Sequence, residues 1–113
     1  MKALTHVGRR MNNPSHSDRD ILVRSVLAER GDDGRTPRHT LFFFYGGDIA
    51  GLSAAAVHAR YDVHRTAKVG GVVLETAIAV DEESFAAHSQ RMVNWAEEFG
   101  CEYDGWECQL VNN

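Results

Sequence analysis

The sequence predicts an α+β domain in which two helices cover one face of a four-stranded antiparallel sheet, with an extra helix ahead of it. Three observations predict it. The run Thr40 to Tyr45 is aromatic and apolar without polar alternation, as in a strand buried on both faces. The pair Gly70-Gly71 joins two β-patterned segments as a hairpin turn does. From Phe85 to Phe99 an apolar residue recurs every three or four positions, the period of a helix with one buried face.

Residues 1–16 have no hydrophobic period and include Asn12, Asn13, Pro14 and Ser15, so they read as a mobile arm, with Met11 an alternative start. Residues 17–113 then form a single domain. Ser17 reads as an N-cap with Asp18 and Asp20 in the first turn, ahead of a broad apolar arc of Ile21, Leu22, Val23, Val26 and Leu27 that ends near Gly31. Asp32 to Arg38 is a loop. After the aromatic strand, Gly46-Gly47 turns the chain and Asp48 caps an alanine-rich helix from Ile49 to about Ala59.

Tyr61, Val63 and Arg65 alternate with Asp62, His64 and Thr66 as the next strand. Its hairpin partner runs from Val72 to Val80, with Val72, Leu74, Thr76, Ile78 and Val80 on one face. Asp81 or Ser84 caps the last helix, whose inner arc carries Phe85, His88, Met92, Trp95 or Ala96, and Phe99. Gly100 stops it. The final segment, Cys101 to Val111, alternates only with an extra residue at Asp104-Gly105, so a β-bulge there keeps Cys101, Tyr103, Trp106, Cys108 and Leu110 on one face. The resulting order, β-α-β-β-α-β after the first helix, is the ferredoxin-like arrangement. A sheet with helices on one side leaves its other face open, and the first helix, through Ile21, Leu22, Val26 and Leu27, or a second subunit, is expected to cover it.

Charge separates along the chain. Residues 1–40 hold eight Lys/Arg against five Asp/Glu, whereas residues 41–113 hold four against eleven. An acidic body disfavours direct binding of nucleic acid, whose phosphates call for Lys and Arg, and suits a basic partner. Cys101 and Cys108, seven residues apart in one strand, are separated by about 23 Å at roughly 3.3 Å per residue. That is too far for a disulfide, so both thiols are expected to be reduced and the protein cytoplasmic. No apolar run approaches a membrane span, and the first ten residues lack the apolar core of a signal peptide.

Catalytic chemistry finds no support. The six histidines are scattered without metal-ligand spacing, and His88 reads as a hydrogen-bonded packing residue. Ser53, Ser84 and Ser89 sit in no nucleophile elbow or triad context, and no Gly-Lys-Ser/Thr follows Gly46-Gly47. Neither a metal nor a cofactor is expected.

The strongest local signal is Tyr103-Asp104-Gly105-Trp106, where two large aromatics flank a glycine inside the last strand; they read as core anchors. This tetrapeptide resembles the Tyr-Asp-Gly-Trp signature of the RraB family, regulators of ribonuclease E activity. The likeness runs over about residues 39–110 and takes in the aromatic strand, the alanine-rich helix, Tyr61-Asp62-Val63 and the last helix. One departure is Arg60, where the family commonly has glycine. The resemblance implies a ferredoxin-like sandwich that inhibits ribonuclease E by binding it, without catalysis. The expected protein-binding surface is an acidic strip, Glu97 and Glu98 at the end of the last helix with Glu102 and Glu107 pointing outward along the last strand. Its expected partner is ribonuclease E or another basic or disordered protein segment. Other function classes are a ferredoxin-like small-molecule binder or enzyme, and an oligomer-forming module; a deep polar pocket would favour the former.

Overall fold

The computed structural model describes residues 4–5, 16–67 and 69–111. In chain order the elements are β1 (Leu4–Thr5), α1 (His16–Glu29), β2 (Arg38–Tyr45), α2 (Ile49–His58), β3 (Asp62–Arg65), β4 (Gly71–Ile78), α3 (Glu82–Phe99) and β5 (Glu102–Gln109). The four main strands lie in the order β5-β2-β4-β3, all antiparallel, as the ferredoxin-like arrangement requires. A fifth, two-residue strand is added: β1 pairs with β5 through Leu4 opposite Gln109 and Thr5 opposite Cys108. The rest of the expected arm over 1–16 lies outside the described residues, except His16, which opens α1. Ser17 therefore sits inside the helix and does not cap it.

Alternation along β2 divides the sheet into two faces. Phe42 and Phe44, fully buried, point toward the helices with Leu74 and Val72 of β4 beside them. Phe42 stacks on Phe85 of α3 at 5.8 Å between ring centroids, and Phe44 on Tyr103 of β5 at 5.0 Å. Leu52 and Ala56 of α2 and Met92 of α3 close this core. The bulge falls where the alternation demands it: Phe42 pairs with Trp106 and Phe44 with Tyr103, so three steps on β5 match two on β2, and Gly105 takes φ +97°.

Helix α1 does not cover the far face of the sheet. Val23 and Leu27 are buried in the same core as α2 and α3, while Ile21 and Leu22 are 59% and 43% exposed. Side-chain bonds to α3 and β5 hold it there. The stripe that α1 buries is narrower than its apolar arc, taking in Val23 and Leu27 with the half-buried Val26 and leaving Ile21 and Leu22 to water.

All three helices end in the same way. An amide two or three residues past the helix end reaches back to a carbonyl of the last turn, Asp32 N to Leu27 O, Tyr61 N to Ala56 O and Cys101 N to Ala96 O. The residue before each of these amides is left-handed: Gly31 (φ +79°), Arg60 (φ +73°) and Gly100 (φ +64°). Arg60 is the one residue other than glycine with positive φ among the described residues.

Behind β2, the loop 30–37 is tied down by a buried ion pair. Arg38 forks onto both oxygens of Asp32, one bond measuring 2.9 Å, and both side chains are excluded from water. The amides of Gly34 and Val111 also donate to Asp32, at 2.9 and 2.8 Å, so the loop, β2 and the chain beyond β5 meet at one carboxylate. Burial by itself would raise the Asp32 pKa, but the Arg38 hydrogen bonds, the two amides and the Arg38 charge together lower it.

Candidate functional site

The Tyr103-Asp104-Gly105-Trp106 motif is structural in its aromatic members. Trp106 is 1% exposed, packs on Phe85 at 4.3 Å between centroids, and donates its indole N–H to Asp20 Oδ1 at 2.8 Å. Ser89 of α3 donates to the other oxygen of Asp20, also at 2.8 Å. One buried carboxylate of α1 thus joins α1, α3 and β5. Nothing in the sequence marks Asp20 for this role, since an acid in a first turn is explained by the helix dipole alone.

Three of the four residues expected in the acidic strip lie at the surface. Glu97 and Glu98 are exposed in the last turn of α3, where there is no basic residue to meet the negative end of the dipole, and Glu102 is exposed at the start of β5. Glu107 is a correction. Alternation does place it on the far face, but it is 0% exposed, and Asp104 and Phe43 on that face are buried with it. The outward reading took that face for open water; near β5 it is covered. Glu107 is therefore not part of an exposed acidic surface.

Cys101 and Cys108 are free and buried; burial raises both pKa values, Cys108 to about 11, which keeps the thiols protonated. On the far face His39 Nδ1 and His64 Nε2 each lie 2.9 Å from an oxygen of Glu75, a grouping the scattered histidines did not announce. No group of three or more potential ligands among the described residues could hold a metal ion. No described helix is long and apolar enough to cross a membrane.

A second cluster lies on the helix side. Tyr61, buried at the α2–β3 junction, places its hydroxyl 2.7 Å from His88 Nδ1 and 3.3 Å from Arg91 Nη1. Burial, and then the Arg91 charge, lowers the His88 pKa, so the imidazole is neutral at neutral pH and shares a hydrogen bond with the Tyr61 hydroxyl. Burial raises the Tyr61 pKa, an effect the Arg91 bond and charge partly offset. The Arg91 guanidinium lies over both the Tyr61 ring, at 5.9 Å, and the half-buried Trp95 ring, at 5.7 Å. Sequence reading found His88 as a bonded packing residue but not the cluster, whose members are brought together by the α2–α3 contact.

Among comparisons with known proteins, a search of curated sequences finds no match. A family model does match: RraB, described as Regulator of ribonuclease activity B, over residues 16–108.

Proposed function

Because the chain belongs to the RraB family, regulators of ribonuclease activity, we propose that it regulates a ribonuclease of the ribonuclease E type by binding it, without catalysis, in the cytoplasm. The observation that carries the mode of binding is the exposed trio Glu97, Glu98 and Glu102 at the C-terminal end of α3. Each helix-end glutamate opposes the dipole at a cost of about 0.3–1 kcal/mol. Residues that break a local rule without local compensation are where a binding role is expected. A basic or disordered segment of the enzyme supplies the compensating charge.

Carboxylates at the rim of such a contact act chiefly by steering encounter. The test measures association of the chain with ribonuclease E across a salt series, for the native protein and for the Glu97→Gln, Glu98→Gln and Glu102→Gln triple variant. The reading expects association to slow with salt in the native chain, and the variant to associate more slowly and to depend less on salt while unfolding at the same denaturant concentration. Association that ignores both salt and the three substitutions removes the acidic end from the interface.

A further inference from the structure

We infer that Arg91 and Trp95, with the buried Tyr61 holding the guanidinium from behind, form a second docking site, of opposite charge preference, which takes a peptide segment presenting a carboxylate beside an apolar side chain. Arg91 is the only lysine or arginine between residues 69 and 113, a stretch with nine Asp and Glu. Amid so many carboxylates an arginine would be expected to form an ion pair, yet Arg91 makes none among the described residues. Its guanidinium instead lies over two aromatic rings and donates one N–H to Tyr61. The rest of that exposed fork is left for a ligand, already oriented.

Pre-orientation is what makes an arginine a good carboxylate receptor, since its planar fork matches two oxygens and little freedom remains to be lost. The neutral state of His88 matters here, because a protonated imidazole beside Arg91 would compete for the same anion. Arg91 opens onto a shallow groove of about 480 Å³ along α3, lined by Ala87, Gln90, Asn94, Trp95 and Glu98. Trp95 offers its half-buried ring to an apolar neighbour of the ligand carboxylate. Glu98, two turns further on and about 10 Å away along the helix axis, sets the direction by repelling the acidic end of the segment. Trp and Arg side by side are also residue types that dominate binding energy at interfaces. The nine carboxylates of this stretch repel the polyanionic backbone of a nucleic acid, while its single cation can still bind one carboxylate. The partner is therefore protein.

The test uses the full chain and three short peptides, all N-acetylated: Leu-Glu-Leu amide, Leu-Gln-Leu amide, and Leu-Gln-Leu with a free C-terminal carboxylate. Binding is read from the side-chain N–H resonances of Arg91 and Trp95, with the Trp106 indole N–H reporting on the fold. The Glu peptide is expected to shift the Arg91 and Trp95 signals saturably, and about tenfold more tightly than the Gln amide, the margin between a charge-assisted and a neutral hydrogen bond. Which of the two carboxylate peptides binds better tells a side-chain acid from a chain terminus. Arg91→Gln is expected to lose the tenfold preference and Arg91→Lys to keep only part of it. Equal binding of the Glu peptide and the Gln amide by the native chain, or saturable shifts that spare Arg91 and Trp95, would overturn the inference, and neither result depends on a variant folding. Glu98 is shared with the acidic end of α3, but the peptide titration does not read association with the ribonuclease, so this outcome leaves the ribonuclease-binding reading intact.

Discussion

Replacing Trp106 tests the central packing argument. Trp106→Ala removes an indole that is 1% exposed and sits 4.3 Å from Phe85, and withdraws the N–H from Asp20. Truncating a large buried aromatic costs about 3–5 kcal/mol, through lost transfer energy and the cavity left behind. For a domain of this size, whose whole stability is about 5–15 kcal/mol, that is about a fifth or more of the total. Trp106→Phe separates the two contributions: it keeps most of the apolar contact and deletes the hydrogen bond, leaving one oxygen of a buried carboxylate without its donor, for about 1–3 kcal/mol. Urea unfolding followed by circular dichroism gives both values. In a double-mutant cycle with Asp20→Ala, the Phe variant should couple to Asp20 while sharing no such coupling with a distant surface site. If Trp106→Ala unfolds within about 1 kcal/mol of the native protein, or Trp106→Phe proves indistinguishable from it, the claim that this indole joins α1 to the sheet is wrong.

Three further outcomes are expected. Asp32→Asn leaves the buried Arg38 guanidinium without its carboxylate and should cost about 3–5 kcal/mol in the same unfolding assay, whereas a surface aspartate such as Asp33 should be near neutral. Acid should destabilise the fold in two stages. Since burial holds the folded-state pKa of His88 below its ordinary value near 6.5, stability falls as pH drops from about 6.5 through that lowered value, and His88→Gln should flatten this stage. Asp32, also lowered in the folded state, contributes fully above its ordinary value of 3.8 and loses that contribution as pH falls through the lowered one; Asp32→Asn should abolish this second stage. Arg60→Gly, at φ +73°, should raise stability by about 0.5–1 kcal/mol, the relief of left-handed strain less the added flexibility of glycine in the unfolded chain; a lower unfolding midpoint would refute it.

What the residues announced and what they withheld have different physical origins. The aromatic strand, the bulge at Asp104-Gly105 and the Asp48 and Asp81 caps are local: period, turn chemistry and capping oxygens act within a few residues, and the structure shows each, with Gly51 N donating to Asp48 at 3.0 Å and Ser84 N to Asp81 at 3.3 Å. The seat of α1 was not local. Amphipathicity shows that Val23 and Leu27 seek a core but not which side of a sheet provides it. Glu107 was misread for a related reason: alternation fixes a side chain's face, and only tertiary structure decides whether that face is wet. The site residues Asp20, Ser89 and Trp106 are joined across 69 and 86 positions of chain, a separation at which no spacing rule operates. The one available hint for the second site was compositional, the isolation of Arg91 within an acidic stretch.

Among the described residues, helix α1 is tied to the sheet and the other helices through side chains; it shares no backbone ladder with the sheet, and of its apolar residues Val23 and Leu27 are fully buried. An element held in this way opens at a lower free energy than the strands beneath it. Its departure would uncover Trp106 and Phe85 while the ladders between β5, β2, β4 and β3 stayed closed. The molecule therefore has a built-in order of dismantling, in which the first layer to lift is a helix contributed from before the ferredoxin-like unit. What it exposes is a ready aromatic surface, so the same Asp20 bond that completes the fold also keeps a sticky patch out of circulation in the cell.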